Sequence, residues 1–443
     1  MNMVHSTARA RRSGVGLAIL LCWLALATVA CGGSLVPTGG GLANTTVPGC
    51  GLGNGIKASG PPLTLGAIVT KMPGVDWTGI TTMAEAYFSC VNDNGGINGR
   101  PIKYIVETEQ ADITQINALA LKLIDDDHVL ALVGSTSVLD CPFNHTLYEQ
   151  RGFNVIVAGV PFQCFSTPNI AAVNMGPYYS SEGAAQYLVR QGVKTMVADG
   201  LAIPGGDHDI SSVLDVARAN NIPVKGWWVE APPITDAATI ANRLVAAAGE
   251  GGGVVLNLTP PEGLKVLQAA QQEGLIDAVK WAWSTPGNDA SVVQALGPAW
   301  NGKLGVNAEL NLVDSTGPDN MLYQKITKLY APTDPLGSFG QMGFVAAKII
   351  TDTMLALPPD QLTKPGINAA IRRIKDFKTD ILCKPWYFGD LLDHVPNNYD
   401  RTVVPENHVF VQKEGCFQIA PLPGNNLDAI RVQERAQGLN GGS

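Results

Sequence analysis

The sequence predicts an α/β protein built as two lobes of similar design. Short apolar runs alternate with amphipathic helical stretches along most of the chain, the pattern of crossover units feeding a parallel sheet. The chain has 443 residues, 46% of them hydrophobic, which is too long for one ordinary domain and ample for two cores. Residues 76–137 hold helix, Gly-rich turn, strand, helix, strand and hydroxyl-rich loop in one unbroken unit.

At the start of the chain, Arg9, Arg11 and Arg12 precede an apolar run at residues 14–30. A basic segment, a short apolar segment and small residues before a break make residues 1–30 an export signal. The run falls short of the about 20 apolar residues that span a bilayer. The small residues directly before Cys31 resemble the cleavage box of a bacterial lipoprotein, in which that cysteine is lipidated. A plain secretory signal or an uncleaved anchor is the alternative. Residues 31–62 are rich in Gly, Pro, Thr and Asn without apolar periodicity and read as a flexible, lipid-anchored tether. The glycines at 49–55 do not form a phosphate loop, because no strand precedes them and no amphipathic helix follows.

Six cysteines lie beyond the signal: Cys50, Cys90, Cys141, Cys164, Cys383 and Cys416. An even number in an exported chain predicts disulfides. Pairing in chain order closes the shortest loops, giving Cys50–Cys90, Cys141–Cys164 and Cys383–Cys416.

Order begins at residues 63–69, an apolar run suited to a buried parallel strand. Ile80, Met83, Ala84, Tyr87, Phe88 and Val91 then share one helix face, and Gly95-Gly96 ends that helix. Ile102, Tyr104 and Val106 alternate as a strand, and Ile116, Leu119, Leu123 and Ile124 mark the next helix. Residues 129–133 and 155–158 are further strands, with a helix closing at Gln150 between them. The alternation continues with strands near 196–198, 224–229, 254–258, 281–283 and 304–306. Helices are expected near 210–220, 235–248, 262–274, 290–296, 320–330 and 340–355. A more strand-like, loop-rich part follows, and residues 424–443 read as a polar, frayed tail.

The run at 92–101 (Asn-Asp-Asn-Gly-Gly-Ile-Asn-Gly-Arg-Pro), the acidic loop at 107–112, Leu123-Ile124 and Val133-Gly134-Ser135 together resemble one family. It is the branched-chain amino-acid-binding (Leu/Ile/Val-binding) type of ABC-transporter substrate-binding protein, with the type I periplasmic-binding-protein fold. The resemblance implies two Rossmann-like lobes with parallel sheets, joined by a three-crossover hinge and closing on a solute. Lobe 1 would be residues 63–174 plus 308–400, and lobe 2 residues 175–307 plus 401–423. It also implies ABC permease subunits as partners, no cofactor, a monomer, and no catalysis. A sensory module of the same fold is the alternative.

In a doubly wound sheet the ligand sits beyond the carboxyl ends of the strands. Ser135, Thr136 and Ser137 follow a strand and start a helix, where hydroxyls and backbone N–H groups suit a carboxylate. Helix capping is their competing role. The resemblance assigns them to an amino acid's carboxylate, and Ala158, Gly159 and Val160 to the next binding loop. Val160-Pro161-Phe162 replaces the family's small polar residues there, so the pocket is less polar. Trp77 supplies an apolar wall or packs against its own lobe. Asp207, Thr259 and Asn288 face the cleft from lobe 2. The tyrosines that the family uses there are absent, and Asp207 and Asp289 are the nearest acids. The solute expected is an amino acid, an amide or a small carboxylate.

Charge excludes other classes. The formal charge is −8, and the first thirty residues carry three arginines and no acid, so the remainder is more acidic still. Without a long Lys/Arg run, nucleic acid is a poor partner. No nucleophile elbow surrounds Ser135 or Ser137. His145 with Glu149, and the run Asp125-Asp-Asp-His128, read as a surface pair and a solvated turn, so no metal site is expected.

Overall fold

The computed structural model describes residues 46–439; the signal, Cys31 and most of the tether lie outside them. Two sheets account for the architecture. The first holds β1 (Leu63–Met72), β2 (Val75–Asp76), β3 (Ile102–Glu109), β4 (Ala131–Ser135), β5 (Val155–Val157) and β6 (Ile170–Ala172). Its parallel order is β3-β1-β4-β5-β6, with β2 folding back antiparallel on the end of β1. The second holds β7 (Met196–Leu201), β8 (Val224–Glu230), β9 (Gly253–Asn257), β10 (Lys280–Trp283), β11 (Leu304–Asn307), β12 (Tyr399–Glu406) and β13 (Val409–Gln418). Its order is β13-β12-β11-β10-β9-β7-β8, parallel from β11 to β8 and antiparallel at β12 and β13.

β1 shows why these runs become strands. Leu63, Leu65, Ala67, Ile68 and Val69 are wholly buried, and the strand pairs with β3 on one side and β4 on the other. Covered on both faces, it reads as a continuous apolar run rather than an alternating one. The helix Thr78–Asp93 buries Met83, Tyr87 and Phe88, and Tyr87 meets Phe344 of the helix Ser338–Leu355 edge to face at 5.2 Å. The Asp76 carboxylate accepts the Thr78 N–H at its start, and Gly95 and Gly96 take the left-handed conformation just past its end.

The chain passes between the sheets three times: after β6, after β11 and before β12. The last passage is complete by Tyr399, where β12 starts, two residues before the predicted boundary. All three disulfides pair as the loop lengths predict, with Cα–Cα distances of 5.8, 5.2 and 5.8 Å. Cys383–Cys416 ties the segment before β12 to β13. In the tether, Val47 and Cys50 are buried, so its last part is packed.

Three helices escape the sequence pattern: Gly176–Arg190, Lys364–Arg372 and Leu427–Ala436. Gly176–Arg190 buries small and polar residues, Ser180, Ser181, Gly183 and Ala184, mixed with the large Tyr179, Tyr187 and Leu188. A side chain at position 183 would overlap Asn307 and Asp400, which is why glycine stands there. The expected frayed tail is instead a helix, Leu427–Ala436. Leu427 and Ile430 pack against Met175, Tyr179 and Val395, and Glu434 accepts the Tyr387 hydroxyl proton. Its short amphipathic pattern found its partner only in tertiary structure.

Candidate functional site

Loops at the carboxyl ends of β1, β4 and β5 face those at the ends of β7, β9 and β10. Between them lies a cavity of about 660 Å³, its open mouth included. Trp77, Thr136, Ala158, Gly159 and Val160 line it from the first lobe, and Thr259 from the second. Asn174, Ser180 and Glu309 line it from the passages between the sheets. Ile80, Leu201, Ile203, Leu258, Phe339 and Met342 make much of the wall apolar.

The 135–137 run splits. The Thr136 N–H donates to the Ile68 carbonyl and its own carbonyl accepts from Thr70, so extended pairing continues through it. In extended chain, successive side chains point to opposite sides. Thr136 therefore faces the cavity, its hydroxyl buried and without a protein partner. Ser135 Oγ accepts the Ile68 N–H. Ser137 Oγ accepts from Leu139 and Asp140 at the start of the helix Asp140–Gln150 and donates to Glu109. Ser137 is thus a helix cap. Ser137→Ala should cost about 1 kcal/mol of stability in chemical denaturation and leave solute affinity unchanged.

Asp207 is exposed in the first turn of the helix Gly206–Ala219 and does not line the cavity; Asp209, two residues on, does. Asn288 is buried beside the cavity, not in its wall, and its carbonyl accepts the Ser338 N–H. Sequence reading also missed Asn257, Glu309 and Ser180. The one signal for Glu309 is an acid two residues past the end of the apolar strand β11.

The two carboxyls set the electrostatics. Burial pushes Asp209 far above the ordinary aspartate range, with Asn257 donating to it at 2.5 Å. Burial raises Glu309 to about 8, while the Met175 N–H, donating at 2.5 Å, pulls the other way. Desolvation dominates because no cationic side chain is near: among the described residues, no Lys, Arg or His lines the cavity.

The rims are bridged by contacts between the lobes. Thr259 donates to the Gly74 carbonyl at 3.0 Å, and Ser338 N–H to Asn288 and Ala290 N–H to Leu336 at 3.0 Å each. Phe162 stacks on His208 with centroids 5.7 Å apart. These contacts hold the two lobes together around the cavity, which keeps a mouth to solvent.

The sequence pattern of the family described as periplasmic binding protein matches residues 54–400. The chain belongs to the periplasmic binding protein family. Among solved structures, this periplasmic binding protein is similar to a branched chain amino acid ABC transporter protein from Thermus thermophilus with bound valine. The two share 15% identity and a TM-score of 0.71, over 81% of this chain and 98% of that one. A solute binding protein of an ABC transporter from R. palustris, in complex with benzoate, shares 16% identity at TM-score 0.66, over 82% and 98% of the two chains. A fatty acid ABC transporter substrate-binding protein from Thermomonospora curvata shares 17% at TM-score 0.68, over 82% and 94%. No sequence in a curated set of proteins matches the chain. At these identities the structural likeness is one of fold, and it bears out the type I architecture expected from the sequence.

Proposed function

We propose that this protein is the extracytoplasmic solute receptor of an ABC importer, trapping one small organic molecule by closure of its two lobes. The observation that carries this reading is the cavity: both lobes and the hinge supply its wall, and contacts between the lobes bridge its rims. A solute that touches both lobes stabilises the closed form by its differential affinity for it. Similar proteins bind valine and benzoate, molecules small enough to be held between two lobes. Lipidation at Cys31 would hold the receptor at the outer face of the cytoplasmic membrane beside its permease.

The reading is tested by a thermal-shift screen of amino acids, amides, amines and small acids. One class should raise the Tm, because a solute at 100 times its Kd stabilises the folded chain by about 2.7 kcal/mol. Thr136→Val should then weaken that solute roughly fivefold, about 1 kcal/mol for one lost hydrogen bond. A panel that shifts nothing would remove the receptor reading.

A further inference from the structure

The charge of the cavity narrows the solute. An α-amino acid or an aromatic acid must place a carboxylate in this cavity. Here the two ionisable groups in the wall are the carboxyls of Asp209 and Glu309, with no Lys, Arg or His beside them. Two of the three hydroxyls expected to hold a carboxylate, those of Ser135 and Ser137, are bonded within the first lobe. The third, on Thr136, is buried, unpartnered and in the cavity wall, an acceptor and donor waiting for a polar group.

The surroundings add further carboxyl groups. A second cavity adjoins the first through Val160 and Asp209. Phe162, Phe165, Tyr178 and Tyr179 line it together with Asp215, Asp393 and His208, and no Lys or Arg is in the wall. Aromatic faces with carboxylates attract cations. On the opposite rim, Asp76, Asp289 and Asp334 line a groove between the lobes. Asp215 is paired with Arg218 and Asp76 with Lys71, so Asp393, Asp289 and Asp334 supply what negative character the approaches have.

We infer that the solute is an organic amine or ammonium ion with an apolar body and no carboxylate, its nitrogen bound at the carboxyl of Asp209 or of Glu309. This rests on the receptor reading above. The apolar wall of Trp77, Ile80, Leu201, Ile203 and Phe339 receives the carbon skeleton. Burial favours the uncharged form of both carboxyls, so binding of an ammonium group is coupled to loss of a proton from one of them. Charge in the chamber is then balanced.

The test uses the full chain and four probes on each of two skeletons, by thermal shift and calorimetry. The branched set is 3-methylbutylamine, leucine, 3-methylbutanoate and 3-methylbutanamide; the aromatic set is benzylamine, phenylalanine, benzoate and benzamide. The amine of at least one set should bind at least tenfold tighter than its three partners. Its binding enthalpy should change with buffer ionisation, as proton release requires. Asp209→Asn should weaken the amine at least tenfold; Glu309→Gln serves if that variant does not fold. Tightest binding of an amino acid, acid or amide overturns the inference and leaves the receptor reading standing, whereas a panel without binding overturns both. Unchanged amine affinity in both variants also overturns it.

Discussion

Thermal unfolding should set in at lower temperature at pH 8 than at pH 6.5. Glu309, Glu182 and Asp199 are buried, and burial lifts each to about 8 in the folded chain. In the unfolded chain they titrate near about 4. Each folded carboxyl keeps its proton where the unfolded chain has lost it. The stability it carries is therefore complete below about pH 4 and is lost as pH climbs to 8. His394, pushed down by burial to about 4, acts in the opposite sense, but only up to about pH 6.5. Between about pH 6.5 and 8 the carboxyls dominate, each contributing a loss of about 2 kcal/mol. Calorimetry at several pH values should show the Tm falling by several degrees. Glu309→Gln keeps an oxygen to accept the Met175 N–H and removes the titration, so its share of the fall should vanish. A level Tm between those values would mean that the three carboxyls stay hydrated in solution.

Replacing Gly337 with alanine should cut solute affinity on the order of a hundredfold, about 2.7 kcal/mol. Gly337 stands at the start of the helix Ser338–Leu355 and meets Asp289 of the opposite lobe. A Cβ there would lie 2.5 Å from an Asp289 carboxylate oxygen, and Asp289 is held in place as the cap of the helix Ala290–Leu296. The Gly337 backbone is extended, with φ of −161°, so alanine adds no strain of its own. The cost falls on the closed form alone. The solute-free Tm should stay within a degree or two, and small-angle scattering should show a more open molecule at a solute concentration that closes the natural chain. An unaltered Kd would show that this rim contact does not limit closure.

Much of the fold was legible because its signals are local. Residues 63–69 announced β1 because a strand covered on both faces is apolar throughout. The cysteines announced their pairing because the shortest loops are the ones the sheet topology brings together. The helix Gly176–Arg190 gave no such signal, since its buried residues mix small and polar ones, Ser180, Ser181 and Gly183, with Tyr179, Tyr187 and Leu188. The helix Leu427–Ala436 is too short and polar to announce itself, and its packing on Met175 and Tyr179 holds it.

The candidate site divides in the same way. Loops at strand ends could be placed from the alternation of elements, and six of the ten residues expected to meet a solute line the cavity. Within those loops, one residue of register decides between a cap and a contact. Ser137 and Thr136 are neighbours, and their side chains leave the backbone on opposite sides. Asp207 lies on the exposed side of its helix and Asp209 faces inward.

The sequence by itself determined the two-lobed α/β architecture, the three disulfides and the strand ends where a solute would lie, because periodicity and chain order act over short distances. Only the tertiary structure decided which polar groups share the chamber. Asp209 opens a helix of the second lobe and Glu309 follows β11 at a passage between lobes. They come to one cavity because crossovers, not sequence neighbours, set what faces what. With no cation beside them, their burial gives the site its electrostatic character.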